Sequence, residues 1–179
     1  IAQVEDVLHQ LANDSRALSH TALMRELEFV TLAESLPHIV WQADPQGVLE
    51  YRNEQWHTTF GPGPVTRLDQ LTSLAHQKDL LTLMNAWGVS RASGIDLHCT
   101  MRLRSHNDSA YVWFRIHGRA LRAEDQRIIR WVGTITNVHD AILQTERTEQ
   151  ALELERQARA EAERVASMAD EFLATLSHE

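Results

Sequence analysis

Three consecutive segments between residues 94 and 137 alternate apolar and polar side chains, and this pattern constrains the fold more than any other. In the first segment Leu97, Cys99, Met101 and Leu103 share one face, and the residues between them share the other. A period of two is the repeat of a β-strand with one buried face. Turn-forming residues at 106–109 and 123–126 separate this strand from YVWFRIHGRAL and IIRWVGTITNV. The sequence therefore predicts a three-stranded antiparallel meander.

A strand pair and several helices precede the meander. Pro37 ends the helical pattern of the first residues, and IVWQADPQGVLEYRN then indicates a strand, a turn and a second strand. Residues 53–60 favour a short helix, and residues 68–87 favour a helix or a helix pair. The apolar positions of this last element are Leu68, Leu71, Leu74, Leu80, Leu81, Met84 and Trp87. These elements predict an α+β domain of roughly 110 residues on one antiparallel sheet.

A heptad pattern marks the first residues as a helix. Apolar or small side chains recur at alternating steps of three and four, at Ile1, Val4, Leu8, Leu11, Ser15, Leu18 and Ala22. This spacing is typical of the seam of a short coiled coil, so we expect the helix to dimerise. An amphipathic helix folded back on its own domain is the alternative.

Residues 141–179 contain neither proline nor glycine, and alanine, glutamate, glutamine and arginine dominate them, which predicts one long helix. Two heptad seams fit this helix. The first is Ala151, Leu154, Ala158, Glu161, Val165, Met168 and Phe172, and the second is Leu152, Glu155, Arg159, Ala162, Ala166, Ala169, Leu173 and Leu176. Because neither seam is strongly apolar, two coiled-coil packings would differ by only about a few kcal/mol, which suits signal transmission. A passive spacer with a solvated charged face is the alternative.

Composition excludes several classes of protein. Hydrophobic residues make up 43% and charged residues 23% of the chain, as in soluble globular proteins. No run of about 18 apolar residues occurs, so we expect no membrane segment within these residues. The formal charge of −8 argues against a nucleic-acid partner, which requires a basic face. Cys99 is the sole cysteine, so no internal disulfide or CxxC pair can form.

Residues 29–140 carry an ordered set of short motifs. The string LPHIVWQADPQGVLEYRNEQW resembles the entry to a PAS domain, with matching residue types at Trp41, Asp44, Gly47 and Asn53. LAHQKD is similar to the His-Pro-Asp-Asp stretch of that family and keeps His76 and Asp79, although it lacks the proline. YVWF and WVGTITNVHD resemble the closing strands, with Asn137, Val138 and His139 in place of the usual Asp-Ile-Thr. The resemblance implies a sensory domain with one antiparallel sheet.

By the same resemblance, the space between the sheet and the helices holds a small ligand, haem, flavin or nothing. The flavin-photoadduct branch requires a cysteine in an Asn-Cys-Arg helix motif, whereas Cys99 lies in the strand segment LHCTM. Haem requires an axial histidine on the helix before the meander, and the nearby His76 belongs to a stretch that is usually at the surface. No cofactor is therefore predicted, and a PAS ligand stays unknown.

The candidate pocket residues are Trp56, Met84, Met101 and Trp113, although aromatic and methionine side chains at such spacings also form ordinary core. The ten histidines include no HxxxH or HExxH pair, so no metal site is predicted.

The final residues, DEFLATLSHE, place a histidine beside an acid on a helix whose apolar stripe contains Phe172, Leu173 and Leu176. This string resembles the phosphoacceptor box of sensor histidine kinases. The resemblance implies that His178 is the phosphorylated residue and that Glu179 assists phosphoryl transfer. The alternative is a structural linker in which the histidine is incidental.

These patterns together predict the dimeric sensory region of a two-component sensor histidine kinase. The predicted parts are an N-terminal dimerising helix (1–28), a PAS sensor domain (29–140), a coiled-coil signalling linker (141–166) and the start of the phosphotransfer helix (167–179). By resemblance, the parent binds ATP in a domain outside these residues, so we expect no kinase activity from them alone. The implied partners are a second copy and a response regulator receiver domain. The rival reading is a ligand-free dimerisation adaptor that relays a signal from an upstream domain.

Ile1 begins the chain without the pattern of a signal peptide, which favours an excerpt of a longer cytoplasmic protein. Whether that parent is anchored in a membrane is left open by the sequence.

Overall fold

A computed structural model describes residues 2–63, 65–106 and 110–176 of the chain. They form two compact units, of which the first ends at Asn137 and the second begins at Val138. The first unit contains, in order, α1 (Ala2–Ser35), β1 (Ile39–Ala43), β2 (Leu49–Arg52), α2 (Glu54–Phe60), α3 (Leu80–Ser93), β3 (Leu97–Arg104), β4 (Tyr111–Arg122) and β5 (Ile128–Asn137). Two 3₁₀ segments, Leu68–Leu74 and Gln77–Asp79, precede α3. The second unit contains α4 (His139–Leu176).

The five strands form one antiparallel sheet in the order β2-β1-β5-β4-β3. The predicted meander is confirmed, because β3 pairs with β4 along its whole length and β4 pairs with β5. The predicted strand, turn and strand before it are confirmed as β1 and β2, and β1 also pairs with β5. The first and last strands of the unit therefore lie side by side at the centre of the sheet. The predicted fold class, an α+β domain with long flanking helices, is confirmed.

The core lies between one face of the sheet and the short helices. The alternating residues of β3 behave as predicted, since Leu97, Met101 and Leu103 are fully buried and Cys99 is partly buried. Side chains from α2, α3 and the first 3₁₀ segment cover this face, namely Trp56, Phe60, Leu68, Leu71, Leu83 and Trp87. Phe60 lies 5.3 Å from Trp56 and 5.6 Å from Phe114 between ring centroids, so aromatic rings fill much of the layer.

The segment predicted as a helix or helix pair over residues 68–87 is two 3₁₀ segments followed by α3. Of the apolar positions predicted for residues 80–87, Trp87 is buried, but Leu80, Leu81 and Met84 are exposed. The buried positions are Leu83, Trp87 and Ser90, which follow the helical steps of four and three. A helix that packs on one side of a sheet buries only one stripe, and its remaining apolar residues stay in contact with solvent.

One long helix precedes the strands along the chain, and a second one follows them. α1 continues to Ser35, past the predicted boundary at residue 28. Side chains in the middle of the helix are exposed, whereas Ala33 near its C-terminal end is buried. α4 is continuous from His139 to Leu176, as the lack of proline and glycine predicted. Within the described ranges, neither of these helices nor any other is apolar over a stretch long enough to cross a membrane.

Candidate functional site

The structure separates the four residues that the sequence grouped as a pocket. Trp56 and Met101 are buried together in the core. Met84 is 55% exposed on the outer side of α3. Trp113 lies on the opposite face of the sheet, where the Arg102 guanidinium stacks 4.8 Å from its ring centroid. The structure therefore does not bring Met84 and Trp113 together with Trp56 and Met101, because helix and strand periodicity turn both side chains away from the core.

Tryptophan rings occupy the centre of the layer between the sheet and α3. Trp87 and Trp131 make an edge-to-face contact with 5.1 Å between ring centroids. Trp41 packs against Gly133, where an added Cβ atom would overlap the Trp41 ring and the His117 carbonyl oxygen. No described residue accepts a hydrogen bond from the buried indole N–H of Trp41, Trp87 or Trp131. Three buried tryptophan rings thus contribute to the core between the sheet and α3.

Asn53 connects three parts of the chain at the boundary between α1 and the sheet. Its side chain is fully buried, and its oxygen accepts a hydrogen bond from the Val40 N–H at 2.9 Å. Its amide nitrogen donates to the carbonyl oxygens of Ala33 at 3.0 Å and His38 at 2.9 Å. A single side chain therefore holds the C-terminal end of α1, the connection that follows it and β1 in one arrangement.

Glu34 forms a second connection at the same boundary. Its carboxylate accepts hydrogen bonds from the Tyr51 hydroxyl at 2.6 Å and from the Glu54 N–H, at the first residue of α2, at 2.9 Å. The hydrogen bond from Tyr51, and after it the one from Glu54, hold the pKa of Glu34 below its usual value. The pKa of Tyr51 is raised, mainly by burial and then by its hydrogen bond to Glu34. The Phe29 ring packs edge-on against Tyr51 with 5.4 Å between centroids. α1 is thus tied to β2 and α2 by polar and aromatic contacts.

The stretch LAHQKD runs along the edge strand β3. The His76 N–H donates to the Arg102 carbonyl oxygen at 2.9 Å, and His76 Nδ1 accepts from the Lys78 N–H at 3.2 Å. The Asp79 carboxylate accepts hydrogen bonds from Nε and one Nη of Arg102, at 2.8 and 2.9 Å, and from the Arg102 main-chain N–H. The side-chain hydrogen bond from Arg102 holds the pKa of Asp79 below its usual value. His76 and Asp79 therefore anchor the start of α3 to the sheet.

Comparison with known proteins identifies this architecture. A family model described as PAS fold matches residues 49–135. The N-terminal domain of a diguanylate cyclase with PAS/PAC sensor from Marinobacter aquaeolei has the same fold, with a TM-score of 0.51 and 21% identity over 57% of this chain and 95% of that chain. The chain contains a PAS domain. The resemblance predicted from the motifs is confirmed to that extent.

Two curated relatives share sequence with the chain. The uncharacterized protein y4lL of Sinorhizobium fredii is 33% identical over 111 residues, which are 62% of this chain and 13% of that protein. The peroxide stress-activated histidine kinase mak1 of Schizosaccharomyces pombe is 29% identical over 110 residues, which are 61% of this chain and 7% of that kinase. The chain thus spans a small part of each relative, and one of the two is a histidine kinase.

The predicted phosphoacceptor pair, His178 and Glu179, lies outside the described residues. The helix that leads to it, α4, is described as far as Leu176. The roles of His178 and Glu179 stay predictions based on the DEFLATLSHE string.

Cys99 lies in β3, as its place in the alternating segment predicted. Burial raises the pKa of its thiol to about 11, so the thiol is protonated at neutral pH. A protonated thiol within the PAS sheet is a poor nucleophile, and its surroundings are those of a packing residue.

The contacts of Asn53 and Glu34 were missed by sequence reasoning. Asn53 was recognised as a motif residue, but the alternation of the strands says nothing about its three partners. Glu34 reaches Tyr51 and Glu54 across a gap of 17 and 20 residues, which no local pattern marks. The available signal was the run of polar residues at the junction of a helix and a strand, where main-chain groups need capping partners.

Proposed function

We propose that the chain is the sensory and dimerisation region of a two-component histidine kinase, in which the PAS domain sends a signal through α4 to His178. The observation that carries the proposal is the continuity of α4, which runs from His139 to Leu176 into the DEFLATLSHE string without a break. The histidine kinase among the relatives supports the same assignment.

The proposed chemistry is a phosphoryl transfer to the imidazole of His178. One ring nitrogen attacks the γ-phosphorus of ATP, an N–P bond forms, and the bond to the leaving ADP breaks. The Glu179 carboxylate holds the proton on the other ring nitrogen and so keeps the attacking nitrogen unprotonated. An aspartate of a receiver domain then takes the phosphoryl group. ATP binds to a domain outside these residues, so the chain alone does not carry out the first step.

The exposed apolar residues of the two long helices support a homodimer. On α4, Leu154 is 67% and Phe172 is 65% exposed in the single chain. Further exposed apolar residues of α4 are Leu152, Val165, Met168 and Leu173. On α1, Leu18, Leu23, Leu27 and Leu32 are likewise exposed. A second copy packed along these helices would remove this apolar surface from water and would place two His178 side chains in one dimer.

Radioactive phosphoryl transfer in the intact parent protein tests the assignment of His178. The parent is incubated with γ-labelled ATP, and we expect acid-labile label on the wild type and none on the His178→Gln variant. His20→Gln is the matched control, since His20 is exposed on α1, and it should keep the label. Label of wild-type amount on the His178→Gln protein would contradict the proposal and favour an incidental histidine.

A ligand-free adaptor is the second candidate function, and the tryptophan cluster of Trp41, Trp87 and Trp131 favours it. These rings are buried in the core on the side of the sheet that the helices cover, so the protein's own side chains pack this layer. In the adaptor, the signal enters through α1, whose C-terminal end is held by Asn53 and Glu34.

Native mass spectrometry and visible absorbance of the purified chain separate the two candidates. The adaptor predicts a mass equal to that of the polypeptide and no absorbance in the visible range. A molecule that remains bound to the PAS core would contradict the adaptor and support direct sensing.

A further inference from the structure

Three side chains that suit a metal ion meet on the solvent side of the β3–β4 hairpin. Asp96, His98 and His117 each offer one ligand atom, and these atoms lie within 4.8 Å of one another. Asp96 is half-buried just before β3, His98 is exposed and His117 is half-buried. None of the three takes part in the core or in the contacts with α1.

The register of the hairpin brings the two histidines together. His98 and His117 are direct cross-strand partners, with 4.4 Å between ring centroids and 32° between ring planes. The neighbouring pairs, Leu97 with Gly118 and Cys99 with Ile116, face the core, so a shift of the register would turn apolar side chains to solvent. The two imidazoles are therefore held side by side by the packing of the core. A site on paired strands needs little ordering when an ion binds.

The ligand types favour a borderline divalent ion. Imidazole nitrogen suits zinc, copper and nickel, and a carboxylate completes such a set. Tetrahedral zinc with bonds of about 2.0–2.1 Å places its ligand atoms about 3.3 Å apart. The three atoms must then approach one another by up to about 1.5 Å, which rotation of partly exposed side chains provides. Three protein ligands leave the fourth position to water or to a further ligand.

Arg119 is the group that competes for Asp96. Its Nε and one Nη donate to the Asp96 carboxylate at 3.3 and 3.2 Å. The Arg119 side chain is 68% exposed, so the pair is screened by solvent and only weakly stabilising. A divalent ion bound to three ligands would displace this arginine from the carboxylate.

We infer that Asp96, His98 and His117 form a binding site for a borderline divalent transition-metal ion, with Zn²⁺ as its representative. The site is independent of the proposed phosphotransfer, since it uses residues of the β3–β4 hairpin alone. Binding would tie the start of β3 to the middle of β4.

Isothermal titration of the metal-free 179-residue chain with ZnCl₂ tests the site. We expect one ion bound per chain, and an affinity that falls at least about tenfold in His98→Ala and in His117→Ala, because even the loss of a hydrogen bond to a metal ligand has that effect. His20→Ala, which changes an exposed histidine of α1, should bind as the wild type does. Binding that is absent in the wild type, or equal in both hairpin variants and the wild type, would overturn the inference.

The Arg119→Ala variant provides a second test of the metal site, in which no proposed ligand is removed. Freed from Arg119, Asp96 should bind the ion more readily, so the affinity should rise several-fold. An affinity that does not rise in Arg119→Ala would remove Asp96 from the site. Thermal unfolding of the metal-free variants, followed by circular dichroism, shows that each protein is folded before titration.

Discussion

The side-chain amide of Asn53 donates a hydrogen bond to the main-chain oxygen of Ala33 at 3.0 Å, and so joins the residue before α2 to the C-terminal end of α1. The same side chain accepts a hydrogen bond from the Val40 N–H in β1, so one buried residue links the end of α1 to the sheet. The long helix is therefore coupled to the PAS domain by defined contacts, and these contacts can be tested.

Asn53→Ala should lower the free energy of unfolding by about 3 kcal/mol. The substitution leaves the Val40 N–H and the Ala33 and His38 carbonyl oxygens without their partner in a buried place, and each such loss has a cost of about 1–3 kcal/mol. Urea unfolding followed by tryptophan fluorescence measures the difference. Asn85→Ala, on the exposed side of α3, is the control and should change stability by at most about 0.5 kcal/mol. Equal stability of the two variants would show that Asn53 does not carry the connection.

Asp79→Asn should destabilise the domain at neutral pH by about 2 kcal/mol, since it removes a bidentate, charge-assisted hydrogen-bond pair with Arg102. The pKa of Asp79 is lowered in the folded state, so this stability is present above its ordinary pKa of 3.8 and is lost as pH falls through the lower, folded value. The difference between wild type and variant should therefore shrink below pH 3.8.

Unfolding in urea at a series of pH values measures this dependence. Asp69→Asn is the matched control, because the Arg67–Asp69 pair is about one-third exposed on both sides and should contribute at most about 1 kcal/mol. A difference for Asp79→Asn that stays constant between neutral pH and pH 3 would contradict the assigned ion pair.

Gly133→Ala should destabilise the sheet by about 2–3 kcal/mol, as overpacking of a core does. The new methyl group would meet the Trp41 ring and the His117 carbonyl oxygen, and the latter cannot move without loss of the β4–β5 pairing. Gly88→Ala in α3 is the control, since its Cβ would meet nothing within 4 Å. That substitution should raise stability by up to about 1 kcal/mol through helix propensity, and thermal unfolding compares the two.

Cysteines placed in the two seams of α4 should form disulfides between the copies of a dimer. Leu154→Cys tests the first seam and Leu152→Cys the second, while Glu153→Cys lies in neither. Cys99 contributes little background, because its thiol is protonated at neutral pH. Non-reducing electrophoresis after mild oxidation should show dimers at both seam positions if two packings coexist. Cross-linking no greater than that of Glu153→Cys at either position would contradict a coiled-coil dimer.

Local periodicity determined most of the elements. The alternation from Leu97 to Leu103 fixed a half-buried strand because side chains of a strand point to opposite faces in turn. In α3 the predicted apolar positions were Leu80, Leu81, Met84 and Trp87, and of these only Trp87 is buried, together with Leu83. Apolar residues surround this helix on most sides, so its spacing alone could not decide which side meets the sheet.

Contacts between distant residues could not be read from local patterns. Nothing in the sequence near Asn53 names Ala33 and Val40 as its partners, and nothing near His98 names His117. The alternation of β3 placed His98 on the polar face of its strand, but the alignment of His98 with His117 required the register of β3 on β4. A one-residue change in that register would have separated them.

The sequence by itself determined the α+β class, the strands and the long helical ends, because each follows from short-range periodicity. The resemblance to PAS domains and the prediction of a phosphoacceptor at His178 came from short motifs. Only the tertiary structure decided that β1 lies beside β5, that tryptophan rings fill the core, that Asn53 and Glu34 hold α1, and that Asp96, His98 and His117 meet. The physical reason is that strand pairing and side-chain packing join residues far apart in the chain, and their geometry depends on the whole domain rather than on any one segment.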